Sequence, residues 1–569
     1  VGAARLDAFG VSALVEAGAL RRVTFAGREA VRVIDYPIRD RDWGTLSTRT
    51  LHEDVSDAAC SRTFRTTDGD VKGRFSARVA GEGAGAVLDV ELVLTALRDT
   101  VVNRAGFILL HPLQGVAGEP LRVRHPDGRE AAARFPALIS PAQPVRDIAA
   151  LSHRVGEVEV AIAFEGDVFE MEDQRNWTDA SFKTYCRPLA LPRPYVLKAG
   201  ESVRQRIVVT MRRVDAGALV ATGAGDVTAR MPEIWLAHEA ALGAAHPALA
   251  AAAPQGVLVR ADGPMGEVPA FPVTLEVLTG ADPAADLRAA KAAVPRATRV
   301  IALPRGYLGS HQPEGPWPEG PGPMDLVPLV RELFPGVEVG GGMFTNFTEF
   351  NRCPPDPARV DFCTFGTTAI VHAADDMSVV ETLEALPDVI ASARALAADR
   401  PLRLGLMAVG MRSNPYGAGV AANPDLLRVP MAMADPRQRT GFAAAFAVAA
   451  AGACARGGVT SFAPAMTGGP LGMADEDGVW PVWHAVAALA ALARAEVTVS
   501  GGPQGLVLIR GAGRRGVAGV AANLGPGEAQ VEGAVRIPDR AAPDWIDAAG
   551  RGAVVSLPPM TAAILRRRA

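Results

Sequence analysis

Between about residues 232 and 495 the chain alternates apolar runs of four to eight residues with Ala- and Leu-rich segments of helical length, and no other feature narrows the fold as much. A run that short and that apolar suits a strand buried on both faces, and a helix after each one carries the chain back to start the next strand in parallel. The runs fall at 233–237, 256–261, 273–278, 299–303, 337–341, 360–365, 403–409 and 459–463. Eight such units close a (β/α)8 barrel. The clearest helices are expected at 282–293, 324–333, 378–398 and 437–456, with another near 482–495. The stretch HQPEGPWPEGPGP at 311–323 follows the fourth run and reads as a long βα loop on the barrel's active face.

Upstream, short alternating segments at 22–25, 31–34, 87–94, 107–111, 158–164 and 204–210 are punctuated by turns, with almost no helical period between them. That is the pattern of a large β-sandwich. Downstream, strand spacing returns at 497–500, 505–509, 517–523, 529–537, 544–547 and 554–565. The expected fold class is multidomain α/β plus β: an N-terminal β-sandwich over 1–230, a central (β/α)8 TIM-type barrel over 231–495 and a C-terminal small β-sandwich over 496–569.

With 58 basic and 62 acidic residues and no long run of either sign, the net charge of -4 leaves no footprint for nucleic acid. No leader and no apolar run of membrane-spanning kind is read, so a membrane is not expected as a partner either. Five scattered cysteines, odd in number and without CxxC spacing, suit reduced thiols in a cytoplasmic protein better than a disulfide framework.

The densest polar cluster is FEMEDQRNWTDASFKTY at 169–185, which gathers Glu170, Glu172, Asp173, Arg175, Asn176, Asp179 and Lys183 around Trp177 and Tyr185. Flat aromatic faces beside carboxylates and amides are what a polyol needs, since its C–H faces stack on rings and its hydroxyls bridge the polar groups. The competing reading is a charged hairpin at the sandwich edge. On the barrel, Asn346 and Glu349 follow the fifth run, His372 the sixth, and Arg412 with Asn414 the seventh. Loops leaving strand C-termini are where barrel enzymes assemble their sites. Glu349 suits a general base, a hydroxyl ligand or a helix cap. His372 suits proton transfer. Arg412 and Lys183 suit an oxyanion.

Absences narrow the chemistry. The fourth and seventh runs end in ALPRG and AVGMRSNP, without the carboxylates a retaining barrel glycosidase commonly places there. HxH, HExxH and GxSxG are missing, so no metal, no cofactor and no serine nucleophile elbow are expected.

Together with GGGMFTNFTEFNR at 340–352, FGTTAIVHAADDMSVVETLEAL at 365–386 and ADPRQRTGFAAAF at 434–446, the 169–185 cluster resembles the D-apionate lactonase family over nearly the whole chain. The resemblance implies a hydrolase that opens a sugar lactone, a small molecule, in apiose catabolism. Glu172, Glu349 and His372 are then the catalytic candidates. Asp173, Asn176, Trp177, Asp179, Lys183, Asn346, Arg412 and Asn414 are the substrate-binding ones. One stretch departs from the family pattern: after the eighth run, where relatives carry an acid, this chain has SFAPAMTGG at 461–469. Two other readings stand beside this one. The first is an atypical glycoside hydrolase with Glu172 and Glu349 as its acid and base. The second is a carbohydrate-binding homologue without turnover.

Overall fold

The computed structural model describes residues 4–214, 225–240, 242–263, 265–540, 542–543, 545 and 553–566. The chain divides into two compact units, Val1–Arg175 with Ala180–Ala221 and Asn176–Asp179 with Thr222–Ala569.

The first unit is built on two large antiparallel sheets. One has eight strands, in the order Ala4–Ala8, Val11–Glu16, Ala19–Phe25, Arg28–Asp35, Ile108–His111, Phe182–Tyr185, Phe169–Asp173 and Val145–Ile148. The other has nine, from Glu130–Arg134 at one edge to Thr48–Val55 at the other, with Val158–Glu165, Ser202–Arg213, Gly85–Ala96 and Val71–Glu82 in the middle. Val71–Glu82 and Val158–Glu165 bury every second residue, the period of a strand with one face in a core. Side chains from the two sheets meet between them. Tyr36 stacks on Phe64 and Phe75 with ring centroids at 5.3 and 4.9 Å. His111 meets His153 edge to face at 5.5 Å beside Phe135. Burial holds His111 well below the usual imidazole range and pulls His153 down to about 4.

The second unit holds the barrel: β1 Glu233–Ala237, β2 Gly256–Ala261, β3 Val273–Thr279, β4 Ala297–Pro304, β5 Glu338–Asn346, β6 Phe362–Thr368, β7 Arg403–Ala408 and β8 Ser461–Ala463. They close in sequence order, every neighbour parallel. Each expected run overlaps its strand, and β5 runs five residues further than its apolar pattern suggested. Gly342 has φ 134°, and a Cβ there would stand 1.9 Å from the Thr364 carbonyl oxygen of β6. The helices follow their caps: Asp282 accepts from Ala285 N–H ahead of Pro283–Ala293, and Asp375 from Ser378 N–H ahead of Asp376–Ala397.

Beyond the barrel helix Pro481–Leu492, the remaining strands form one antiparallel seven-stranded sheet whose edge strand, Val227–Arg230, comes from ahead of the barrel and pairs with Glu496–Gly501. The sheet rests on Gly441–Arg456 and Pro481–Leu492. The strand expected at 544–547 lies outside the described residues, apart from Trp545. No described helix is long and apolar enough to cross a membrane.

Candidate active site

Strands β2, β3, β5, β6 and β7 and the loop after β7 line a narrow cleft. Its polar lining includes Arg260, Glu276, Thr345, Asn346, Arg412 and Ser413. Arg260 and Glu276 are register partners on β2 and β3. Arg260 donates from Nε to Glu276 Oε2 at 3.0 Å, from Nη1 to Ser413 Oγ at 3.2 Å and from Nη2 to the Phe344 carbonyl at 2.9 Å. The Arg412 guanidinium stands 3.5 Å from the same Glu276 oxygen. Burial, and next the charge of Arg260, pull Arg412 down to about 10. Sequence reasoning missed Arg260 and Glu276. Their signal was a charged residue in the middle of an apolar barrel strand, GVLVRA and VTLEVLT.

Asn346 is the last residue of β5, and its amide donates to the Tyr416 hydroxyl at 3.2 Å. Glu349 is three residues on, in the short helix Phe347–Arg352, where its carboxylate accepts the Asn346 backbone N–H at 3.0 Å. The side chain is 3% exposed. Burial pushes its carboxyl up, against the lowering pull of the Ser310 hydroxyl and the Asn346 N–H. The Asn346 contact makes Glu349 a cap of that helix, the third of the roles its position suited. The Asn414 amide donates to the Gly419 carbonyl at 2.7 Å and its oxygen accepts the Tyr416 N–H at 2.9 Å, which orders the loop after β7.

His372, on the loop after β6, meets Asp179. Nδ1 and Oδ2 are 2.5 Å apart, and the side chains are 29% and 19% exposed. With Nδ1 donating to the carboxylate, Nε2 is the free acceptor. The edge of His372 meets the Trp177 ring at 5.5 Å, and the Arg352 guanidinium lies 5.3 Å from that ring's centroid. Asn176 fixes the segment from the other side: Thr348 donates to its carbonyl at 2.7 Å, and the Asn351 amide donates to its side-chain oxygen at 2.9 Å. Asn176, Trp177 and Asp179 therefore belong with the barrel residues. Asp179 is engaged by an imidazole.

The rest of the polar cluster has another role. Asp173 forms a two-pronged pair with Arg175, 2.9 Å from Nε and 2.7 Å from Nη2, and both side chains are 0% exposed. That pair is an internal tie, and it occupies the carboxylate expected to bind sugar. Glu172 and Lys183 are register partners on adjacent strands and form an ion pair. Burial, against the pull of Glu172, holds Lys183 below the usual ammonium range. Each of the two therefore already has a partner of opposite charge. Among the described residues no three His, Cys, Asp or Glu side chains gather as a metal site.

Comparison with known proteins follows the same division of the chain. Residues 3–214 match the family profile described as D-apionate lactonase, N-terminal domain, and residues 240–494 match D-apionate lactonase, TIM barrel domain. A D-apionate lactonase of Brucella anthropi is 36% identical over 502 residues, covering 81% of this chain and 82% of that protein. The chain belongs to the D-apionate lactonase family. Membership of the D-apionate lactonase family makes it a lactone hydrolase, a class of carboxylic-ester hydrolase. Solved structures also align with it. An endo-β-1,3-glucanase from Amycolatopsis mediterranei is 15% identical with a TM-score of 0.29, over 46% of this chain and 99% of its own. A β-arabinopyranosidase is 9% identical with a TM-score of 0.27, over 99% of both chains. At those scores neither likeness bears on the chemistry of this lactonase.

Proposed function

We propose that the chain opens a D-apionolactone-like sugar lactone to the free sugar acid, with His372 as the base and Asp179 as the group that positions it. The observation that carries this reading is the 2.5 Å contact between Asp179 Oδ2 and His372 Nδ1. An imidazole that donates from Nδ1 keeps Nε2 as its acceptor. A water on Nε2 loses its proton as its oxygen attacks the lactone carbonyl, and the oxyanion that forms is met by Arg412. Collapse of the tetrahedral centre breaks the ring C–O bond, and the imidazolium returns its proton to the departing alkoxide. One water is consumed and one carboxylic acid is formed, which ionises in neutral solution. Trp177 offers a ring face for the sugar's C–H groups, and Asn346 an amide for its hydroxyls.

A small sugar-derived substrate and a role in apiose breakdown follow from the relative's name. A cytoplasmic location belongs to the same reading and is supported by five unpaired cysteines. The test is to supply purified protein with sugar lactones and aryl glycosides and to follow acid release and chromogen release separately. Acid release from the lactones alone is expected; chromogen release with inert lactones overturns the proposal.

A further inference from the structure

Of the charged side chains that line the barrel cleft, Arg260 and Arg412 are cations and Glu276 is the one carboxylate among the described residues, with Glu239 and Asp262 adding a weaker acidic pull on Arg412. Arg260 and Arg412 both lean on a single oxygen of Glu276, at 3.0 and 3.5 Å. Arg260 is tied further to Ser413 and to the Phe344 carbonyl. Arg412 has no such ties: among the described residues its guanidinium makes an ion-pair contact with Glu276 and no hydrogen bond. Its side chain is 17% exposed, so water reaches only part of it. A desolvated guanidinium with unused donors favours a planar, two-oxygen anion over any neutral ligand.

The proposed reaction makes such an anion. A lactone is neutral, whereas its ring-opened product carries a carboxylate on the same carbon. We propose that Arg412, backed by Arg260 and Glu276, is a seat for the carboxylate of the ring-opened sugar acid, so that product holds the cleft more tightly than a neutral sugar does. This rests on the lactonase reading and adds to it a competitive inhibitor, the sugar acid, whose grip depends on charge. Glu276 has two effects here. It cancels one of the two cations, and its shared oxygen keeps both guanidinium groups facing the cleft.

The probe is sodium D-erythronate, a four-carbon aldonate, set against erythritol, the neutral alditol of the same carbon skeleton. Both are titrated into the wild-type protein by calorimetry and tested as inhibitors of lactone hydrolysis. Erythronate is expected to bind at least about tenfold more tightly than erythritol and to inhibit competitively. Arg412→Gln should bring the two affinities to within about twofold, and Arg412→Lys, which keeps a cation, should retain part of the preference. Equal affinities in the wild-type protein, or no binding of erythronate at millimolar concentration, overturn the seat whether or not the variants fold. So does a preference that survives in folded Arg412→Gln. Lactone hydrolysis by a protein that shows no erythronate preference removes the seat and leaves the lactonase reading intact. A clear preference in a protein inert toward lactones does the reverse.

Discussion

Replacing Asp179 by Asn tests the positioning of His372 with the smallest change of shape. The Asp179 carboxylate accepts from Nδ1 at 2.5 Å, and an amide in its place can donate to that nitrogen, which leaves Nε2 carrying the proton and unable to take another. A hydrogen bond to a charged group contributes about 1.5–3 kcal/mol, which converts to roughly 10- to 150-fold in rate. The two side chains are 29% and 19% exposed, so water screens part of the interaction and the lower half of that range applies, about 10- to 50-fold. The loss should appear in kcat, with KM within about twofold, because Asp179 faces the imidazole and not the sugar. The assay is steady-state lactone hydrolysis by pH-stat for Asp179→Asn, His372→Ala and the double variant. If Asp179 acts only through His372, it contributes nothing further once the imidazole is gone. An equal loss from Asp179→Asn in the His372→Ala background, or a loss below about threefold in the single variant, refutes the reasoning.

Other outcomes follow from burial. The raised carboxyl of Glu349 contributes stability in its protonated form, which is present at acid pH and lost as pH rises through its folded value. Glu349→Gln, whose side-chain oxygen can accept the same Asn346 N–H, should therefore melt with the wild type near pH 4 and roughly 1–2 °C above it at pH 8, with kcat within about twofold; a collapse of activity in the folded variant would return Glu349 to the chemistry. His153 works in the opposite sense: its folded value of about 4 lies below the usual imidazole range, so its contribution is present above about pH 6.5 and lost as pH falls toward 4. His153→Phe should flatten the fall in melting temperature over that window, and an unchanged slope would show that the protons go elsewhere.

The barrel was legible because burial on both faces leaves a continuous apolar run for each strand, and because Asp282 and Asp375 mark helix starts in the sequence itself. The sandwich strands were legible through their alternation. What the pattern missed was set by tertiary context. The expected β5 stopped at Gly341, one residue before Gly342, whose φ of 134° and close approach to Thr364 only the folded barrel explains. Val227–Arg230 joins a sheet whose other strands lie some 270 or more residues later, a pairing no local signal announces.

Within the candidate site, His372, Arg412 and Asn346 were singled out because they leave strand C-termini. The pairing of Asp173, Glu172 and Lys183 was not legible, because a dense polar cluster looks the same in one dimension whether its charges face a ligand or each other. Only the register pairing Glu172 with Lys183, and the 2.7 Å contact between Arg175 and Asp173, tells the two apart. Arg260 and Glu276 went unnoticed because an apolar strand absorbs one charge without losing its pattern, although that charge was itself the clue to a polar barrel centre.

The central claim is that an imidazole at the barrel mouth moves the proton. Its most direct test is lactone hydrolysis by His372→Ala with and without added imidazole, on protein shown to fold by its melting temperature. The account predicts a loss of about 10²- to 10⁴-fold that free imidazole partly restores in proportion to its concentration. A folded His372→Ala protein that opens the lactone at close to the wild-type rate would contradict it.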